Sequence, residues 1–356
     1  MGHPAHFHLF KNLIQEFETK GIEYRIVIKT KDILEDLCKS SSWNYTNILP
    51  SYRKNNFFSF ALSYLKKYIR ISKIIRQFRP DLLLGSEPSL THLGKLFKIP
   101  SFVFSEDDVA VIPQFAKIAY PFVDVILSPK SCDAGKWSDK KIAYDGFHKL
   151  AYLHPSVFIP NRSLIDSFLP EKYFILRLTE LAAYHDSNVK GITKEFALKI
   201  IAALEPYGEI FISSEKPLDQ DFEKYRLKLP SEFIHHALFY AKMYIGDSQS
   251  MAVEAALLGT PGIRFNDFVG KIGVLNELEN SYQLSFGFKT SEEQELLNRV
   301  GQMIQNESLE EEFKLKRTKL LNDKINVPEF FSWFIQNYPN SKEIMKTNSD
   351  FQYTFK

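Results

Sequence analysis

The segment Gly246-Asp247-Ser248-Gln249-Ser250-Met251-Ala252-Val253-Glu254 places phosphate-binding and diol-binding chemistry within ten residues. Gly246 permits a sharp turn after a strand, and Asp247 or Ser248 can cap the helix that follows. Main-chain N–H groups near Gln249 and Ser250 then point out of the helix tip, where the dipole favours an anion. Glu254 lies one turn beyond Ser250 on the same face, where a carboxylate can accept from two vicinal hydroxyls. Phosphate at the tip and ribose one turn along is the layout a nucleoside diphosphate needs. A plain capping serine and a solvated glutamate have the same spacing, so spacing alone leaves two readings level.

A second group is His3, His6 and His8, all within the first eight residues beside Gly2. His6 and His8 are two apart and share no helix face, which puts a metal site last. One imidazole, His6 first, suits a general base toward an acceptor hydroxyl or a hydrogen-bond donor to a sugar. The alternative is that these residues only cap and pack a turn. His235 and His236 begin a helix and either touch a nucleotide base or lie on its surface.

These residues need elements to hold them. Short apolar runs alternate with helical patterns along all 356 residues. The first half offers strands at 24–30, 81–85, 101–105, 124–128 and 141–144. The second offers 172–178, 209–213, 243–246 and 262–265. Runs that are apolar throughout suit strands covered on both faces, and strand–helix alternation implies parallel sheets with right-handed crossovers. Pro155, Pro160 and Pro170 interrupt both periods and mark a boundary. The expected domains are 1–160, 161–325, and a C-terminal helix with a polar tail, 326–356, crossing back toward the first. Two doubly wound Rossmann-like domains facing across a cleft follow, with ligands at the carboxyl ends of strands. One strand is absent from this scheme: Gly2 is a turn feeding a helix, and such a turn normally follows a buried strand. A missing first strand of the N-terminal domain is the expectation.

Composition narrows the class. With 45 basic and 43 acidic residues the net charge is +2, which lacks the basic excess of nucleic-acid binders. Cys38 and Cys132 show neither metal-ligand nor disulfide spacing. No apolar run spans a bilayer and no signal-peptide pattern opens the sequence, so the expected location is cytoplasmic. The stretch 57–79 mixes Phe57, Phe58, Phe60, Leu62 and Leu65 with Lys66, Lys67, Arg70, Lys73 and Arg76. It reads either as a sheet-covering helix or as a basic amphipathic helix in peripheral contact with the inner membrane face.

The stretch Gly246–Pro261 resembles the donor segment of GT-B glycosyltransferases and of UDP-N-acetylglucosamine 2-epimerases. More of the chain resembles an archaeal and bacterial GT-B-like family of unknown function. The matching pieces are Gly2-His3-Pro4-Ala5-His6 with His8, Gly146 to Pro155, and Arg177. They continue with Ala183-Tyr184-His185-Asp186, Gly191, Ser213-Ser214-Glu215, and His235-His236 through Ala252. The resemblance implies the GT-B fold and a nucleotide-sugar site, with Gly2, His3, Ser214, Glu215 and His236 among its residues. It implies that Arg177 neutralises a diphosphate and that Asp186 orients His185. Acidic residues at comparable strand ends of the epimerases do acid/base work, which singles out Glu87 and the run Glu106-Asp107-Asp108, Glu106 first. The expected activity is a glycosyltransferase, independent of metal and resident cofactor, using a UDP-linked sugar in surface polysaccharide or glycoconjugate assembly. A glycan or lipid-linked acceptor would be its partner. A nucleotide-sugar 2-epimerase or hydrolase is the second reading, and a non-catalytic nucleotide-sugar binder the third.

Overall fold

The computed structural model describes residues 1–30, 33–49, 57–179, 191–214 and 217–356, with main chain only over 57–64. The chain forms two units, Met1–Val157 with Ile325–Lys356, and Phe158–Lys324.

Unit 1 starts with α1 (Pro4–Thr19), whose Phe7, Phe10, Leu13, Ile14 and Phe17 recur at helical spacing and are buried. His3 caps it, accepting from Ala5 N–H at 3.2 Å, and Pro4 occupies the first turn. Then follow β1 (Ile26–Lys29), α2 (Leu34–Ser40), β2 (Tyr45–Leu49), α3 (Phe57–Phe78), β3 (Leu83–Leu84) and α4 (Pro88–Phe97). The unit continues with β4 (Ser101–Phe104), α5 (Pro113–Ala119), β5 (Val125–Pro129), β6 (Lys141–Tyr144) and α6 (Leu150–Leu153). Every residue of β4 and β5 is buried, the signature of strands covered on both sides. The strands form two parallel sheets, β1–β2 and β3–β4–β5–β6. Met1 lies along the free edge of β1: its N–H donates to the Val27 carbonyl, and its carbonyl accepts from Lys29 N–H at 3.3 Å. Both α2 and β2 were unexpected, because Tyr45–Leu49 buries only Ile48 and shows little apolar signal.

Unit 2 has one parallel five-stranded sheet. Its elements are β7 (Tyr173–Arg177), α7 (Lys194–Leu204), β8 (Glu209–Ser213), α8 (Ile234–Tyr240), β9 (Met243–Gly246), α9 (Gln249–Leu258) and β10 (Gly262–Phe265). After these come α10 (Gly273–Asn276), β11 (Phe286–Phe288), α11 (Glu293–Gln305) and α12 (Leu309–Asp323). Strand order is β11–β10–β9–β7–β8, so the chain steps from β7 to one side and returns on the other. The short β11 was also unexpected, since Gly287 breaks its apolar run.

After Lys324 the chain belongs again to unit 1, through α13 (Val327–Gln336) and α14 (Asn340–Thr347). The polar tail expected at the end of 326–356 is folded. Gln352 is fully buried, accepting from Asp145 N–H at 2.6 Å and donating to the Ser349 carbonyl at 2.6 Å. Phe351 and Phe355 pack on Trp333, with centroids 4.9 and 5.3 Å away. Sparse aromatic anchors and one satisfied amide hold a segment whose average composition is polar.

Candidate functional site

In unit 2 the strand order reverses beside β7, where Arg177 pairs with Gly246 at the carboxyl ends of β7 and β9. Such reversals open a crevice at the strand ends. Gly246 is required there: a Cβ would fall 2.7 Å from the Arg177 Cβ and 2.9 Å from its carbonyl oxygen. Arg177 is nearly buried, and its Nη1 donates to Ser213 Oγ at 3.0 Å, tying the ends of β7 and β8 together. Ser248 caps α9, its Oγ accepting from Met251 N–H at 3.4 Å. The first-turn N–H groups of Gln249 and Ser250 have no acceptor within the helix, and Ser250 is exposed. The Arg177 guanidinium and the α9 tip are thus two sources of positive charge at the carboxyl ends of neighbouring strands.

The other residues of this segment have structural duties. Asp247 accepts from Thr179 N–H at 2.8 Å. Burial pushes its carboxyl pKa up, opposed by main-chain hydrogen bonds from Thr179 and Ile192. A Cβ on Gly191 would reach within 2.5 Å of Asp247 Oδ2. Asp247 thus clamps the flanks of 180–190, the segment containing His185 and Asp186. Those two residues and Glu215 lie outside the described residues. Ser214 follows β8 and is half-buried. Glu254 is buried on α9 rather than solvated, with Oε1 3.5 Å from His235 Nε2. His236 accepts from Asn161 N–H at 3.1 Å and lies against Phe158 at 4.9 Å.

The sequence reading missed the support of this turn. Arg264 on β10 is fully buried and donates to Glu279 Oε1 from Nε at 3.1 Å and from Nη2 at 2.8 Å. Its Nη1 donates to Asn266 Oδ1 at 3.1 Å, and Asn266 Nδ2 donates to the Asp247 carbonyl at 3.2 Å. Glu279, Arg264, Asn266 and Asp247 form one chain of bonds beneath the α9 tip. The available signal was an arginine inside the otherwise apolar run Gly262–Phe265.

Unit 1 gathers a different set at its own strand ends. Gly2 N–H donates to His6 Nδ1 at 3.2 Å, which in the neutral ring leaves Nε2–H as a donor. Burial, with the nearby Met1 ammonium and His3, lowers the His6 pKa to about 3. His6 is therefore set up to donate a hydrogen bond rather than to act as a base. A Cβ on Gly2 would lie 2.7 Å from Lys29 Cε and 3.4 Å from Glu87 Oε2, so Gly2 rests on an ion pair. Glu87 accepts from Lys29 Nζ at 3.3 Å and pairs with Lys67. Burial pushes the Glu87 pKa up, but Lys67 and Lys29 outweigh it and the net shift is downward. Glu106 accepts from His148 N–H at 2.8 Å and pairs with Lys149. His148 is buried against Phe104 and Phe331, and its pKa falls to about 4.

Lys67 corrects the reading of 57–79. It is 2% exposed and turned onto Glu87, so it is no part of a basic outer face. An ion-pair partner twenty residues away in sequence outbids solvent for it. Lys66, Arg70, Lys73 and Arg76 stay exposed, while Ile71 and Ile75 fill the core. No described helix is long and apolar enough to cross a membrane.

Residues 1–307 match the family described as protein of unknown function DUF354. The chain belongs to that family. Among curated proteins none matches the chain. Solved structures do. One is a UDP co-structure of S. aureus MnaA, 13% identical over 96% of each chain with a TM-score of 0.68. Another is Methanocaldococcus jannaschii UDP-GlcNAc 2-epimerase with UDP-GlcNAc and UDP, 13% identical over 86% of this chain and 94% of that one, at 0.60. A third is the spinosyn rhamnosyltransferase SpnG with thymidine diphosphate, 13% identical over 90% and 94%, at 0.59. The family member therefore has an α/β fold of parallel sheets like that of GT-B glycosyltransferases and UDP-GlcNAc 2-epimerases.

Proposed function

We propose that this family member is a GT-B-type glycosyltransferase that takes a nucleoside-diphosphate sugar, UDP-linked by preference. Its setting would be surface polysaccharide or glycoconjugate assembly. The supporting observation is the pairing of Arg177 with Gly246 at the strand-order reversal, beside the open tip of α9. In this reading the diphosphate lies on the N–H groups of Gln249 and Ser250, with Arg177 neutralising charge. Glu254 accepts from the ribose hydroxyls, and His236 borders the base. These fixed positive groups supply the leaving-group stabilisation that a metal ion gives elsewhere. Unit 1, taken by itself, offers His6 as a hydrogen-bond donor and Glu106 as a proton acceptor toward an acceptor hydroxyl. Leu65 and Ile69 are exposed on α3 alongside Lys66 and Lys73, which suits a lipid-linked acceptor at a membrane surface.

A 2-epimerase or hydrolase is the second reading. It is favoured by the lysine-paired Glu87, held ionised within reach of Gly2 beside His6. That set can move protons without any acceptor molecule.

The test is a thermal-shift panel of nucleotides and nucleotide sugars, followed by product analysis. A bound donor at a hundredfold excess over its Kd adds about 2.7 kcal/mol of stability. Arg177→Met and Glu254→Ala should each reduce that shift while preserving the fold. Nucleoside diphosphate released only with acceptor supports the transferase; sugar isomerised with donor alone supports the epimerase. Nucleotide binding undiminished in both variants would sink the site assignment.

A further inference from the structure

Helices α11 and α12 follow β11, the outermost strand of the unit 2 sheet. Positions 299, 302, 303 and 306 share one face at the end of α11, and positions 309, 312, 313 and 316 share one face of α12. These two faces, with Phe286 of β11, line a space of about 290 Å³. Helices that meet through apolar stripes close up to contact. Here five of the eight facing residues are polar, and the space stays open.

Its apolar lining is Phe286 and Phe313, ring centroids 6.4 Å apart at 65°, with Met303 buried in the wall. Each ring carries a cation. The Arg299 guanidinium carbon stands 3.9 Å over the Phe286 centroid, and Lys316 Nζ stands 4.8 Å over that of Phe313. Stacking engages the face of a guanidinium and leaves its N–H edge for a planar acceptor. Among the described residues that edge, with five N–H donors, meets one acceptor, Gln302 Oε1, 3.4 Å from Nη1. Neither Arg299 nor Lys316 forms an ion pair among the described residues. Glu312, the single carboxylate in the lining, accepts from Asn306 Nδ2 and Ser308 Oγ, each at 3.0 Å. The lining therefore carries a net charge of +1. Helix α12 meets α9 at the C-terminal end of α9, where Arg317 Nε donates to the Leu257 carbonyl at 2.8 Å. That is the end opposite the open α9 tip.

We propose that the space between α11 and α12 is a second ligand site of unit 2, separate from the α9 tip, and that it takes a small aromatic carboxylate. The carboxylate lies on the N–H edge of Arg299 as a planar two-bond pair, with Lys316 as the second cation. Its ring lies against Phe313 and Met303. One negative charge cancels the charge of the lining, which a phosphate dianion would overshoot. A volume of about 290 Å³ is at the lower end for ligand pockets and selects a single ring over a nucleotide.

The test is calorimetric titration of the full chain with benzoate, with benzyl alcohol as the uncharged probe and phenyl phosphate as the dianion. Benzoate should bind saturably, about tenfold more tightly than benzyl alcohol and more tightly than phenyl phosphate. Arg299→Met keeps a stem over Phe286 but removes the donors, so it should weaken benzoate about tenfold or more. Arg177→Met should leave benzoate affinity unchanged. In the parent protein the methyl resonance of Met303 should move with benzoate, while that of Met251 in the first turn of α9 stays. This readout serves even where the Arg299 variant fails to fold. Absence of saturable binding overturns the proposal, as does equal affinity for benzoate and benzyl alcohol or tighter binding of phenyl phosphate. Benzoate lost in Arg177→Met but kept in Arg299→Met also overturns it, by moving the anion to the α9 tip.

Discussion

At the scale of single residues, buried charge governs what substitution costs. Removing the Glu279 carboxylate leaves the Arg264 guanidinium buried without its counter-charge, which typically costs about 3–5 kcal/mol. Glu279→Ala should therefore lower the urea midpoint sharply, and the combined Glu279→Leu and Arg264→Met change should recover much of it. Glu87 yields a pH dependence. Its folded pKa lies below the ordinary value of about 4.3, so its contribution is complete above that value and is lost as pH falls through the folded pKa. Glu87→Gln should flatten the acid limb of a stability–pH profile, measured by urea midpoints between pH 3 and 6. A slope as steep as that of the parent would refute the pairing. Such pairs explain what the sequence could and could not reveal. Gly246, Ser248 and Gln249 could be assigned a turn and a helix tip from adjacent residue types alone. Arg264 with Glu279, Lys67 with Glu87 and Lys149 with Glu106 are contacts across the fold, invisible to local periodicity.

At the scale of elements, two glycines separate close approach from plain propensity. Gly246→Ala drives a methyl group into Arg177 and should cost about 1–3 kcal/mol, and it should weaken nucleotide binding by misplacing the α9 tip. Gly301 lies within α11 with open space around its Cα. Gly301→Ala should therefore stabilise by about 0.5–1 kcal/mol. Opposite shifts in urea midpoint for the two alanines would establish the contrast; equal signs would not. Fully covered strands such as β4, β5, β7 and β9 could be read from the sequence as unbroken apolar runs. The edge strands β2 and β11 could not, because one is mostly half-exposed and the other carries a glycine. Helix α3 was readable as amphipathic, yet the inward turn of Lys67 was not, since hydropathy assigns every lysine to water.

At the scale of the molecule, the chain leaves unit 1 at Val157 and returns at Ile325. Deleting 341–356 strips Trp333 of Phe351 and Phe355 and deprives Asp145 of Gln352 and Tyr353. The expected outcome is a lower first transition in calorimetry, assigned to unit 1, with the transition of unit 2 unmoved. A uniform drop in both would contradict two separately built cores. The same return fixes an order of maturation on the ribosome. All of 158–324 emerges before the helices that complete the earlier half, a delay of roughly ten seconds or more at ordinary elongation rates. The half translated first is therefore finished last, and the nascent polypeptide must shield the unfinished faces of α1 and α6 while its middle matures.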